Sequence, residues 1–289
     1  MTSTAHHSDI QGGGGEPWRG VTVAVCSYNG LTNDKLPRTL RALRDAGCPE
    51  ETITLYDIAS TDGSIPFVQR DFPRVRIERQ AENVGPSPSR NRAITGCTTP
   101  YLLLLDSDAQ LRPDTLPAMR RAIESDPGIG IVSPVCLYGD RPQVVQYSGL
   151  NLHFLAEAIN PWLDRLGAER GDADLDVGCA PCVALLLRPE AAVRAGLFDV
   201  RYFVCKEDGD FTHRVRVAGY RIVEAGGARV IHSCTPRGTN MFRRQLCNGW
   251  HLPFKCYQKR TLVLILPMLW VHHLLQGLFL LKKGQIGAW

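Results

Sequence analysis

The sequence predicts an α/β fold, a mostly parallel sheet flanked by helices, with an apolar helix at the C-terminal end. Short β-rich apolar runs alternate with helical periodicity through the first half. Of the 289 residues, 44% are apolar against 21% charged, and a long stretch near the C-terminus carries no formal charge. That apolar fraction can bury a sizeable core and excludes disordered and collagen-like chains.

The elements follow in order. Residues 21–25 (Val-Thr-Val-Ala-Val) read as a first strand. Leu36, Leu40 and Leu43 share one helical face, with Pro37 near the start and Gly47 at the stop. Further strands are expected at 53–56, 75–77, 101–105 and 129–133, separated by helices around 65–70, 89–95 and 116–125. Five strands alternating with helices make a half-domain of nucleotide-binding type. Beyond residue 144 the pattern is mixed: 183–187 reads as a buried strand, 189–195 and 210–218 as helices. There is no internal repeat and no linker between the halves.

The formal charge of +4 hides an asymmetry, because no acid follows Glu224. Residues 225–289 carry nine cations, leaving 24 cations against 29 acids before them. A basic tail on an acidic body points to a polyanionic surface, nucleic acid or an anionic bilayer. Arg260 and Lys282 bracket an uncharged stretch, 261–281, that as a helix runs about 31 Å, against about 30 Å for a bilayer core. Nucleic-acid binding would favour basic residues interleaved with aromatics and no such stretch, so an anionic membrane surface is the expected partner and nucleic acid is not. Pro267, His272, His273 and Gln276 are costly against lipid. A spanning helix, an interfacial or re-entrant one, and a helix packed on the domain's own core therefore all stay open. The first twenty residues are polar and Gly-rich with no secretory apolar run. Residues 1–19 are thus expected to be disordered, and the body to stay at the cytoplasmic face of the membrane. The ten cysteines are expected as thiols, and Cys179-Ala-Pro-Cys182, which runs into a strand, as small buried ones.

Ligands of open α/β sheets sit at the carboxyl ends of the strands. Ser27-Tyr28-Asn29 follow the first strand, Asp57 and then Ser60-Thr-Asp-Gly-Ser64 the second, and Asp106-Ser-Asp108 the fourth. Tyr28 can stack on a base, and Asp57 can accept a hydrogen bond from a base N–H. The run 102–105 delivers Asp106 and Asp108 two apart, pointing the same way if extended geometry persists. Two such close acids repel unless a cation lies between them, and hard oxygen ligands suit Mg²⁺ or Mn²⁺. A surface turn with solvated acids is the alternative reading.

Order and context add to this. The segments 21–29, 57–64, Asn83-Val-Gly85 with Ser89-Arg-Asn91, and 104–108 closely resemble the family 2 glycosyltransferases of the GT-A fold, of a rhamnosyltransferase-like kind. Gly196-Leu-Phe-Asp199, Glu207-Asp-Gly-Asp210, Arg214-Val-Arg-Val-Ala-Gly-Tyr-Arg221 and Ala228-Arg-Val-Ile-His232 continue the likeness in the same order, over about residues 20–235. The resemblance implies a nucleotide-sugar donor, with Tyr28 and Asp57 around the base, Arg90 near base or diphosphate, Asp106 towards ribose and metal, and Asp108 and His232 on the metal. It puts Asp208 at the general base, which would take the acceptor hydroxyl's proton while the sugar carbon is attacked opposite the leaving diphosphate, with inversion. Glu207 would orient the site, and Asp210 would cap or anchor the following helix.

Two positions depart from the pattern. Ile58 stands where Asn is common, and Gly209 where an apolar residue is common. The Gln-x-x-Arg-Trp signature of processive synthases is missing, since Gln245-Leu-Cys-Asn-Gly-Trp250 has other spacing. A single sugar is therefore expected to pass to a glycan or lipid-linked glycan of the cell envelope. Transfer to polyprenyl phosphate, or a non-catalytic nucleotide-sugar or glycan-binding relative, are the alternatives. The expected organisation is a disordered segment 1–19, a catalytic domain 20–236 and a membrane-associating segment 237–289.

Overall fold

Strand–helix alternation in the first half forms as the periodicity predicts: β1 (Val21–Ser27), α1 (Lys35–Asp45), β2 (Ile53–Asp57), α2 (Ser64–Asp71), β3 (Arg76–Arg79), α3 (Ser87–Gly96), β4 (Tyr101–Asp106), β5 (Ala109–Leu111), α4 (Thr115–Glu124) and β6 (Ile129–Tyr138). Short strands β7 (Val145–Tyr147), β8 (Asn151–Leu152) and β9 (Ala158–Ile159) follow, then the one-turn α5 (Gly167–Arg170), β10 (Leu175–Asp176), β11 (Ala184–Leu187), α6 (Pro189–Arg194), α7 (Glu207–Val217) and the long β12 (Arg221–His232). Three helices complete the described residues: α8 (Thr239–Gly249), α9 (His251–Cys256) and α10 (Lys259–Lys282).

This computed structural model describes residues 16–234 and 239–282. The expected disordered segment 1–19 lies outside these except for its last four residues, where a 3₁₀ turn, Glu16–Trp18, buries Trp18. Trp18 Nε1–H donates to Ala46 O at 2.8 Å.

The sheet runs in the order β10-β12-β6-β11-β4-β1-β2-β3, with β5 on β12 and β7 on β6. Strands β3, β2, β1 and β4 are mutually parallel, as are β6 and β12. Strand β11 is antiparallel to both β4 and β6 and forms a seam between the two parallel sets. Alternation along β4 separates two cores. Leu103 and Leu105 join Leu36, Leu40 and Leu43 of α1 and Met119 of α4 on one face. Leu102 and Leu104 join Ile94 of α3, Ala191 of α6 and Phe211 and Val215 of α7 on the other.

The excursion between β6 and β11 is pinned from inside. Arg170 Nη2 lies 2.8 Å from Glu224 Oε1 of β12, with both side chains at most 4% exposed. Ser148 Oγ and Gly149 N donate to the two Glu224 oxygens at 2.6 and 2.8 Å, so the buried carboxylate is fully partnered. All ten cysteines are thiols. Cys179 and Cys182 are buried, and burial pushes the Cys179 thiol up to about 12.

Candidate active site

Strands β1, β2 and β4 bring their carboxyl ends to one edge, where Ser27 stands in register with Asp57 and Cys26 with Asp106. The loops that follow are tied to each other: Asn29 N donates to Ser60 Oγ at 2.9 Å, Thr61 N to Asn29 Oδ1 at 2.9 Å, and Ser60 N to Asp57 Oδ2 at 3.1 Å. Asn29 and Ala59 hold left-handed φ angles of 50° and 59°, strain that persists only where the surroundings impose it. On this rim Tyr28 is 51% exposed, its ring open for stacking. Asp57 is fully buried with Arg79 Nε 3.3 Å from Oδ2. Its Oδ1 has no hydrogen-bond partner among the described residues, an acceptor suited to a ligand N–H. Ile58 belongs to the same apolar cluster as Ala93 and Ile94 of α3, which accounts for an apolar residue where the resemblance leads one to expect Asn.

The carboxylate pair meets cations of the protein itself. Arg90, only 4% exposed, donates Nη2–H to Asp106 Oδ1 at 2.8 Å and Nη1–H to Glu207 Oε1 at 3.2 Å. It is thus an internal bridge between the two carboxylates. Burial pushes the Asp106 carboxyl up and Asp108 adds to this, while Arg90 pulls it back. Asp108 Oδ2 accepts from Lys35 Nζ at 3.0 Å, and Asp108 Oδ1 lies 3.3 Å from His232 Nε2. Burial pushes Asp108 up, but His232 and Lys35 outweigh it and hold the carboxyl below its ordinary value.

The backbone makes the Asp108–His232 pairing. His232 of β12 stands opposite Ala109 of β5, and Ser233 N donates to Asp108 O at 2.9 Å. Gln146 Oε1 lies 2.7 Å from His232 Nδ1, while Gln146 Nε2 donates to Cys234 Sγ at 3.1 Å. With the amide so oriented, Nδ1–H donates to Gln146 Oε1 and Nε2 is left facing Asp108, the nitrogen that a metal-ligating imidazole would use. Asp108 and His232 therefore fit a divalent ion. Asp106, the third expected ligand, is turned to Arg90, and among the described residues no group of three metal-ligating side chains assembles.

The segment around Phe198 is clamped to α3. Asn91 Nδ2 donates to Phe198 O and Phe198 N to Asn91 Oδ1, each at 2.8 Å. Asp208 opens α7 with Oδ1 accepting from Gly209 N at 2.8 Å, and it remains partly exposed. Neighbouring Glu207 is buried, and burial, helped by Asp208, lifts its carboxyl to about 7 against the pull of Arg90. Its Oε2 has no partner among the described residues. Asp210 is an anchor: it pairs with Arg214 at 2.7 Å and Lys255 at 2.9 Å.

Helix α10 is long and apolar enough to cross a membrane by length and composition. Ile265, Leu269, His273, Gly277 and Leu280 form a buried stripe along it. The polar residues that lipid would penalise face the protein. His272 Nε2 and Gln276 Nε2 each lie 3.3 Å from Glu157 Oε1, which also accepts from Lys206 Nζ at 2.7 Å, and His273 stacks on Trp250 at 4.4 Å. Outward, Leu264 and Trp270 are 75% and 65% exposed, with Val263, Leu275 and Phe279 beside them.

Lys35, Gln146, Glu157 and Lys206 are absent from the sequence reading. Lys35 left a trace, a cation at a helix start where the dipole disfavours it. Gln146 and Glu157 lie in the mixed region and left none.

A family model described as Glycosyl transferase family 2 matches residues 22–187. The N-acetylglucosaminyl-diphospho-decaprenol L-rhamnosyltransferase of Mycobacterium tuberculosis (strain ATCC 25618 / H37Rv) is 26% identical over 218 residues, 68% of this chain and 71% of that protein. Among solved structures, the mannosyltransferase PcManGT from Pyrobaculum calidifontis, in complex with GDP-Man and Mn²⁺, superposes with a TM-score of 0.58 at 18% identity, over 93% of this chain and 76% of that one. GalNAc-T7 with UDP, GalNAc and Mn²⁺ gives a TM-score of 0.63 at 14% identity over 78% of this chain, which spans only 46% of that longer protein. At these identities the two structures establish the GT-A architecture.

Proposed function

The chain belongs to glycosyl transferase family 2, and from that premise we propose that it transfers one sugar, with inversion, from a nucleotide-sugar donor to a hydroxyl of a lipid-linked glycan at the cytoplasmic face of the membrane. The observation that carries this reading is the Arg90 bridge, which joins Asp106 at the donor edge to Glu207 beside Asp208. Donor and acceptor chemistry thereby share one rigid centre.

In this reading Tyr28 stacks on the base and the unpartnered Asp57 Oδ1 accepts its N–H. Asp106 is oriented by Arg90 towards the ribose. Asp208 takes the acceptor hydroxyl proton as the oxygen attacks the sugar carbon from the side opposite the diphosphate, so the product has inverted configuration and no covalent enzyme intermediate is needed. Glu207, adjacent and hydrogen-bonded to Arg90, orients this segment. Asp108 and His232 would hold Mg²⁺ or Mn²⁺, which would neutralise charge developing on the leaving diphosphate. Lys35, within reach of the same carboxylate, supplies a second positive charge there.

The membrane side rests on α8 to α10, the catalytic domain being 20–236 and the membrane-associating segment 237–289. The outward apolar face of α10, the docking of its polar residues on Glu157 and the basic residues at both ends support a helix lying in the interface rather than spanning it. The relative named for a diphospho-decaprenol acceptor supports a lipid-linked substrate. A screen of nucleotide sugars for donor hydrolysis, then for transfer to lipid-linked glycans, tests the reading. Absence of turnover with every donor would overturn it.

A further inference from the structure

A cavity of about 410 Å³ opens on α8, lined by Arg243, Arg244, Cys247 and Asn248. Among the described residues neither arginine meets a carboxylate: Arg244 lays its guanidinium over the Phe203 ring at 4.1 Å, and Arg243 is exposed. The interior arginines behave differently, since Arg90, Arg170 and Arg214 are each paired with an acid. No acid follows Glu224, so nothing along this part of the chain compensates the pair. Two adjacent, unneutralised guanidiniums on a concave surface have the chemistry of a phosphate clamp, because the planar fork matches phosphate oxygens.

The cavity's neighbours narrow the choice of phosphate. Asn248 Nδ2 donates to Val204 O at 3.0 Å and Cys205 O at 2.7 Å, so α8 is bonded to the segment that leads directly into Lys206, Glu207 and Asp208. Phe203, under Arg244, is wedged against Gly85, where a Cβ would stand 2.1 Å from its carbonyl oxygen; only glycine allows this approach of the donor-side loop. Immediately after Asn248, α8 stops at Gly249, and Trp250 packs on Trp270 and His273 of α10. The end of α8 that carries Asn248 is thus joined both to the segment leading into Asp208 and to the helix that turns its apolar face outward.

We infer that this cavity is the phosphate subsite of the acceptor, taking the phosphate or diphosphate that joins a sugar to a polyprenyl chain; the inference rests on the lipid-linked acceptor proposed above. Such a molecule carries a hydroxyl, an anion and a hydrocarbon chain, and α8 holds the Arg243–Arg244 pair on an element bonded both to the segment leading into Asp208 and to the helix with the outward apolar face. A phospholipid headgroup offers the same phosphate chemistry without the sugar, and the test separates the two sources.

The full chain is mixed with phosphatidylcholine vesicles carrying a few mole per cent of polyprenyl diphosphate, or phosphatidylglycerol at equal charge. Wild type is expected to bind the diphosphate vesicles about tenfold more tightly, and the double variant Arg243→Gln/Arg244→Gln to lose that preference and bind both vesicle types alike. Arg243→Gln alone, at an exposed side chain, is expected to lose part of it without any question of folding. Equal binding of the two vesicle types by wild type, or full preference in the double variant, overturns the subsite. The underlying reading fails separately. Transfer to free glycans only would remove the lipid-linked acceptor while the vesicle preference stands. Transfer to a lipid-linked acceptor with a KM unmoved by the double substitution would remove the subsite alone.

Discussion

Arg90 Nη1 and Glu207 Oε1 meet at 3.2 Å although 117 residues separate them in sequence, and the same guanidinium holds Asp106 at 2.8 Å. One buried cation thus serves two carboxylates on different elements, the end of β4 and the start of α7. Each acid receives only part of its charge, which is why burial still lifts Glu207 to about 7.

Glu207→Gln is expected to change how stability depends on pH. The folded carboxyl at about 7 stands above its ordinary 4.5, so between these values the folded state holds a proton that the unfolded chain has released. The group's contribution to stability is therefore fully present below 4.5 and is lost as pH rises through about 7. Glutamine does not titrate. The melting temperature of the variant relative to wild type should climb across that window, and a flat difference would rule out the raised carboxyl.

Asp208→Asn should leave donor affinity nearly intact and cut turnover by roughly 10² to 10⁴, the range for losing a general base. Donor binding by calorimetry beside steady-state rates separates the two effects. Near-normal turnover in a folded variant would move the base to Glu207 or Asp210.

Asp108→Asn is expected to weaken both Mn²⁺ and donor binding. Gln146→Leu, which frees the His232 ring, should lower Mn²⁺ affinity by about 10- to 100-fold without touching a ligand. Titration calorimetry with Mn²⁺ reads both, and full turnover in excess chelator would exclude a metal-dependent reaction.

Arg170→Ala leaves Glu224 buried beside two neutral donors, and a buried charge stripped of its partner costs about 3–5 kcal/mol. Urea unfolding of the variant should show a loss of that size. Replacing both residues, Arg170→Met with Glu224→Leu, should recover much of it.

Membrane fractions should release the protein in detergent and only slightly in high salt, because salt screens the basic residues but not insertion of Leu264, Trp270 and their neighbours. Trp270→Glu should shift the protein towards the salt-soluble fraction. Lys255 contributes less to surface attraction than its place in the basic tail suggests, since it lies 2.7 Å from Asp199 and 2.9 Å from Asp210.

Much of the candidate site at the sheet edge was legible because it is a consequence of strand ends. Once residues 102–105 are read as a buried strand, Asp106 and Asp108 must emerge where β1 and β2 also end. The bridge made by Arg90 was not legible. Its partner Glu207 is reached only after the chain has passed through β6, β11 and α6.

By itself the sequence determined the alternating strands and helices of the first half, which residues stand at their strand ends and that the tail is basic and apolar. Each of these follows from local periodicity, apolar runs and charge counts. The tertiary structure alone decided the antiparallel direction of β11, Lys35 on Asp108, Gln146 behind His232, and the turning of His272 and Gln276 towards Glu157. The physical reason is the same in each case. A charge or hydrogen-bond donor chooses its partner by what burial brings within about 3 Å, and segments far apart in sequence become neighbours only when the sheet order and helix docking are set.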